Sequence, residues 1–245
     1  PLNFPDKEIA AFIELRLKHN LAPVFAHACY LINPASPDKD IHARSVTALA
    51  AELRTADRLD LDGYILHPGS HKGSGEEKGI RQAVDCIRQA VDLSKTKTPV
   101  LLENTAGAGN AVGHHFSHLA EILSGIPDPP GAGVCLDTCH AFCAGYELRP
   151  PSGLQQTIAK FDKTIGMSRL KCVHANDSKN DLGSHRDRHE HIGAGSIGKP
   201  GFRVLLTHPF LKNIPFILET PKENNMDIRN LRLLRTLAGK GKKVD

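Results

Sequence analysis

Apolar positions along the chain follow two alternating patterns. Six short runs are nearly continuous: PVFAH (23–27), LDGYILH (61–67), PVLLE (99–103), AGVCLD (132–137), LKCVH (170–174) and PFILE (215–219). Continuous apolar character predicts strands buried on both faces, as in parallel sheets. Between the runs the apolar spacing changes to three and four. Ile80, Ala83, Val84, Ile87 and Val91 fall on one helical face, and 42–59, 116–124, 154–166 and 227–238 read the same way. A further helix, 6–19, precedes the first run, with Ile9, Phe12, Ile13 and Leu17 along one side. Strands alternating with helices pair in parallel through crossover connections. The runs recur every 34 to 45 residues, measured between their last residues, and no linker or shift of composition divides them. The pattern predicts an α/β fold of the (β/α)8 TIM-barrel type, one domain over 1–245, with about six of the eight strand–helix units in this chain.

Composition narrows the classes. No apolar run approaches the roughly 18 residues of a membrane span, so no membrane partner is expected. The opening PLNFPDKEIAAF lacks the charged and apolar regions of a secretory leader. Six cysteines, at 29, 86, 135, 139, 143 and 172, are dispersed through a large domain. They predict reduced thiols in a cytosol-like compartment: the cytoplasm in first place, the nucleus or mitochondrion for a eukaryotic protein. Cys135, Cys139 and Cys143 do not have the spacing of a zinc ribbon, and Cys135 in an apolar run acts as a small hydrophobe. A net charge of +4 is compatible with a polyanionic partner. Fourteen histidines are more telling, because imidazole is the commonest metal ligand.

Their positions carry the chemistry. The six apolar runs end in His27, His67, Glu103, Asp137, His174 and Glu219. In a (β/α) barrel the strand C-termini meet at one mouth, where active sites lie. One polar strand end means little; six that are all histidine or carboxylate point to a metal site. His140 follows Asp137 by three residues in DTCH, and Asp187 and His189 form D-x-H after the fifth run. Five histidines and four carboxylates are too many for one ion and natural for two or three, with zinc, manganese or iron as candidates. Clustered divalent ions suit a phosphodiester and an activated water.

Eight segments, HACYLIN (27–33), HPGSH (67–71), ENTAG (103–107), CLDTCHAFCAGYELR (135–149), HANDSK (174–179), DRH (187–189), GSIG (195–198) and ILET (217–220), stand in this order. Together they resemble the endonuclease IV family from about residue 5 to 238; DTCHAF with ENTAG is the most specific part, and GSIG alone is weak. The resemblance implies three zinc ions per chain. His27, His67 and Glu103 would hold one. Glu103, as a bridge, with Asp137, His174 and Glu219 would hold the second. His140, Asp187 and His189 would hold the third. It implies hydrolysis of the phosphodiester 5′ to an abasic site in double-stranded DNA, leaving a 3′-hydroxyl, and trimming of blocked 3′ ends. Glu219 would orient or deprotonate the attacking water, with Glu103 as the other catalytic carboxylate. Tyr30 and Leu31 match family residues that enter the minor groove at the damage, a known use of wedge side chains; the alternative for Tyr30 is a partly buried aromatic at a strand end. Lys72, Arg186, Arg188 and Lys199 are candidate phosphate contacts, and His71 has a loop or supporting role.

The family also has two strand–helix steps before the point where this chain starts, so the chain reads as N-terminally incomplete, and a monomer is expected for the complete protein. Two other functions stay open at this level. A metal-dependent sugar isomerase or epimerase has a similar barrel, but its sites carry fewer ligands, and D-x-H with DTCH speaks against it. A damaged-DNA-binding fragment that does not cleave is the non-enzyme alternative.

Overall fold

The structure, a computed structural model, describes residues 4–126, 131–223 and 225–239. The chain forms two compact units, each with its own strands and helices. The first takes most of the residues up to Val134, and the second Asn104–Gly109, His114–Ser117 and Cys135 onward.

The first unit runs α1 (Asp6–Lys18), β1 (Phe25–His27), α2 (Lys39–Arg58), β2 (Gly63–Leu66), α3 (Glu76–Ser94), β3 (Val100–Glu103) and α4 (Phe116–Gly125) from His118 on. Its strands pair in parallel, with His27 opposite Ile65 and Leu66 opposite Leu102. Every residue of β2 and β3 is buried, which is why their sequences do not alternate. Helix α2 starts where the Asp38 carboxylate accepts hydrogen bonds from the Asp40 and Ile41 amides, both at 2.9 Å. Helix α3 buries Ile80, Ala83, Cys86, Ile87, Ala90 and Val91 and packs along α2.

In the second unit, β4 (Gly133–Asp137) leads directly into the short helix α5 (Thr138–Cys143). There follow α6 (Pro151–Thr164), β5 (Leu170–His174), β6 (Asp177–Ser178), β7 (His189–Glu190), α7 (Gly198–Thr207), β8 (Phe216–Ile217) and α8 (Met226–Leu237). Strands β5 and β8 pair in parallel, with His174 opposite Ile217. Strands β6 and β7 form a small antiparallel pair, with Ser178 opposite His189.

All six expected strands are present, and the helices expected at 6–19, 42–59, 116–124, 154–166 and 227–238 lie close to their observed positions. Some ends differ. The second strand stops at Leu66, one residue before His67, and the last covers only 216–217, so Glu219 stands on the loop beyond it. The sequence pattern did not show α5, α7 or the β6–β7 pair. None of the helices among the described residues is long and apolar enough to cross a membrane.

Candidate metal centre

In the first unit, β1 and β2 deliver His27 and His67, and β3 ends at Glu103. Both imidazoles point Nε2 at one oxygen, Glu103 Oε2, at 2.8 and 2.9 Å. His27 Nδ1–H donates to the Ala28 carbonyl at 3.0 Å. That bond fixes the tautomer that leaves Nε2 as a lone-pair donor. Glu103 is fully buried, while the two histidines are part-exposed.

The second unit gathers two further groups. Asp137 serves as the last residue of β4 and the N-cap of α5: its Oδ1 accepts from the His140 amide at 2.8 Å. Its Oδ2 accepts from Asn176 Nδ2 at 2.6 Å and lies 3.9 Å from His174 Nδ1. His174 Nδ1 is in turn 2.9 Å from Glu219 Oε2. The other group is His140, Asp187 and His189. His140 Nδ1–H donates to the Asn104 carbonyl at 2.9 Å, and His189 Nδ1–H to the Glu219 carbonyl at 3.2 Å. Both Nε2 atoms then carry lone pairs, yet they face each other at 3.3 Å. The Asp187 carboxylate lies 3.2 Å from one and 3.4 Å from the other.

This arrangement tests the fit of a metal. Two imidazole lone pairs and a carboxylate repel one another unless a cation lies among them. Tetrahedral zinc, with bonds of about 2.0–2.1 Å to nitrogen, separates its ligand atoms by roughly 3.3–3.4 Å, which matches the spacing of the His140, Asp187 and His189 atoms. His27, His67 and Glu103, and likewise His140, Asp187 and His189, place their ligand atoms within 4.8 Å of one another. The donor set, imidazole with carboxylate, suits a first-row divalent ion. Within each unit the residues present therefore fit bound metal.

Sequence reasoning missed the residues that aim these ligands. Asn104 donates through Nδ2 to the Asp137 carbonyl at 3.1 Å and accepts the Asp137 amide at 2.7 Å, while its own carbonyl holds His140. Asn176 holds the Asp137 carboxylate and accepts the Glu219 amide at 2.9 Å. The Thr138 hydroxyl donates to the Asn176 carbonyl at 2.7 Å, with the His174 carbonyl at 3.1 Å from the same oxygen. Their signal was adjacency: each stands within two residues of a candidate ligand. Cys139 packs with Ala106 and Cys143 in a buried cluster, and its sulfur lies within 4.8 Å of possible ligand atoms of Asp137 and His189.

The candidate DNA contacts fall on the surface of their own units. Tyr30 is 90 % exposed and Leu31 70 %, which excludes a partly buried Tyr30. Lys72 is exposed with a left-handed φ of 48°. Arg186 and Arg188 line a cleft of about 460 Å³ with Ala108, Asn180, His185 and Asp187. Lys199 lies over Gly193, where a Cβ would stand 2.5 Å from its Cγ. His71 has a loop role: its Nδ1 accepts from the Gly75 amide at 3.1 Å. The GSIG segment also proves structural. The Asp177 carboxylate collects the amides of Gly193, Gly195, Ile197 and Gly198, and a Cβ on Gly195 would sit 2.3 Å from the Ser178 carbonyl oxygen.

The family model described as a xylose isomerase-like TIM barrel matches residues 1–237. A probable endonuclease 4 from Chloroflexus aurantiacus is 44 % identical over 234 residues, spanning 94 % of this chain and 82 % of the relative. The crystal structure of endonuclease IV from Thermus thermophilus superposes with a TM-score of 0.85 at 35 % identity, covering 98 % of this chain and 85 % of that one. A D-tagatose 3-epimerase-like protein superposes with a TM-score of 0.72 over 95 % of this chain and 83 % of its own, at 21 % identity, a likeness of fold alone. The chain thus belongs to the endonuclease IV family within the xylose isomerase-like TIM barrels, and it is a hydrolase of the nuclease kind.

Proposed function

We propose that this enzyme is a zinc-dependent endonuclease that cleaves double-stranded DNA on the 5′ side of abasic sites, leaving a 3′-hydroxyl, and that also trims blocked 3′ ends. The observation that carries the reading is the pair of imidazole Nε2 atoms 3.3 Å apart beside the Asp187 carboxylate, in a chain that belongs to an endonuclease family. Zinc, where bound, supplies positive charge for the phosphate oxygens and makes water a nucleophile near neutral pH.

The chain's own groups then have these roles. His27, His67 and Glu103 would hold one ion, Asp137, His174 and Glu219 a second, and His140, Asp187 and His189 a third; by the family resemblance Glu103 would also serve the second. Glu219 is the least buried of the carboxylates in its group, and it orients or deprotonates the attacking water. Tyr30 and Leu31 wedge into the minor groove, and Lys72, Arg186, Arg188 and Lys199 bind phosphates. The substrate is a polyanion, in keeping with the net charge of +4.

The test is a duplex with one abasic site, incubated with and without chelator, beside an intact duplex and a free reducing sugar. Chelator-sensitive incision confined to the abasic strand, with two to three zinc per chain by elemental analysis, is expected. Turnover of the sugar without incision, or one zinc or fewer in folded protein, would overturn the assignment.

A further inference from the structure

The loop that carries Asp187 and His189 has to be held against α5, which carries His140, for these three residues to share an ion. The β6–β7 pair closes the base of the loop, where the Lys179 amide donates to the Arg188 carbonyl at 3.0 Å. The outer part hangs on the C-terminal carbonyls of α5: the Gly183 amide donates to Phe142 at 3.1 Å and the His185 amide to Cys143 at 3.0 Å. Arg188, between the two ligands, is therefore the point at which the loop is aimed. A second donor reaches its carbonyl. The Cys139 sulfur lies 3.6 Å from the Arg188 oxygen; a carbonyl can only accept, so the thiol donates.

We infer that Cys139 is a positioning residue, whose thiol aims the Asp187–Arg188–His189 segment at His140 so that the three ligands meet on one ion. The inference rests on reading those three residues as a metal site. Cys139 is fully buried and stands one residue before His140 on the same helical turn. One end of the thiol's bond is thus fixed by α5 and the other by the loop. A thiol is a weak donor, but neighbours that orient metal ligands typically change affinity by about 10–100-fold. The low end of that range, roughly tenfold, is expected here.

The experiment titrates zinc into metal-stripped protein and follows its release to a chelator, for wild type, Cys139→Ala, Cys139→Val and Cys139→Ser. The apo-protein melting temperature is recorded for each. Wild type is expected to bind two to three zinc ions, the weakest of which is weakened about tenfold in the Ala and Val variants and largely restored by Ser, which keeps a donor. The rise in melting temperature on adding zinc shrinks in step. Equal zinc affinity in all four proteins would overturn the inference, even where the apo forms melt lower, because packing alone would then explain the residue. Cadmium loading separates the remaining alternative: a thiolate-to-cadmium absorption band that disappears in Cys139→Ser would make Cys139 a ligand and end the positioning role. One zinc ion or fewer in folded wild type would instead refute the underlying metal assignment.

Discussion

Two buried asparagines, Asn104 and Asn176, hold the candidate ligands of the second unit in place. His27, His67, Glu103, Asp137, His174 and Glu219 announce themselves because each closes or follows an apolar run. Asn104 and Asn176 do not, because an asparagine after a strand reads equally well as a loop residue. Only the structure shows that Asn176 joins two candidate ligands, donating to the Asp137 carboxylate and accepting the Glu219 amide. Asn176→Ala removes both bonds and leaves a buried carboxylate without its strongest neutral donor. Zinc affinity is expected to fall by roughly 10–100-fold, measured by competition with a chelating dye. Asn176→Asp, which places a second carboxylate beside Asp137, is expected to be worse at neutral pH.

Elements were legible where periodicity had room to show. The helix that buries Ile80 to Val91 has 19 residues; α5 has six and starts on a strand's last residue, which leaves no window in which a period can emerge. The β6–β7 pair, two residues a strand, escapes for the same reason. Joints between elements are equally hidden. At the end of α2, the Asp57 carboxylate collects the Thr96 and Thr98 hydroxyls and the Lys97 and Thr98 amides at 2.6–2.9 Å, and so fixes the chain entering β3. Burial alone would raise its pKa, but these donors outweigh burial and hold it below the ordinary 3.8. A depressed carboxylate stabilises the fold above its unfolded value and loses that contribution as pH falls through its folded value. Asp57→Asn is therefore expected to melt below wild type from pH 7 to 5, with the gap closing below about pH 4. A constant gap down to pH 3 would show that the charge is not what matters.

For the molecule as a whole, the burial of Glu103 and Asp137 at zero exposure decides how stability depends on cations. A buried carboxylate is tolerated only with partners, and the partners here are amide donors and imidazoles, of which the imidazoles also suit a metal. Ions that bind the folded chain alone stabilise it by mass action, about 4 kcal/mol at a thousandfold excess over the dissociation constant. For a chain of this size that corresponds to a melting shift on the order of 10 °C. Calorimetry with and without chelator is expected to show such a drop, and acidification below the histidine range to reproduce it, since imidazole must be neutral to bind metal.

The exposure of Tyr30 has a spectroscopic consequence. The chain has three tyrosines and no tryptophan, and Tyr64 and Tyr146 are buried at 2 % and 7 % exposure against 90 % for Tyr30. Acrylamide should therefore quench a single emitter, and the protein carries its own optical reporter at the proposed wedge. Adding a duplex with one abasic site is expected to protect that emitter from the quencher, and Tyr30→Phe to abolish the quenchable fraction while zinc content stays unchanged. Quenching that persists after the substitution would place the accessible phenol elsewhere, and quenching of the wild type that the duplex leaves unchanged would remove Tyr30 from the DNA contact.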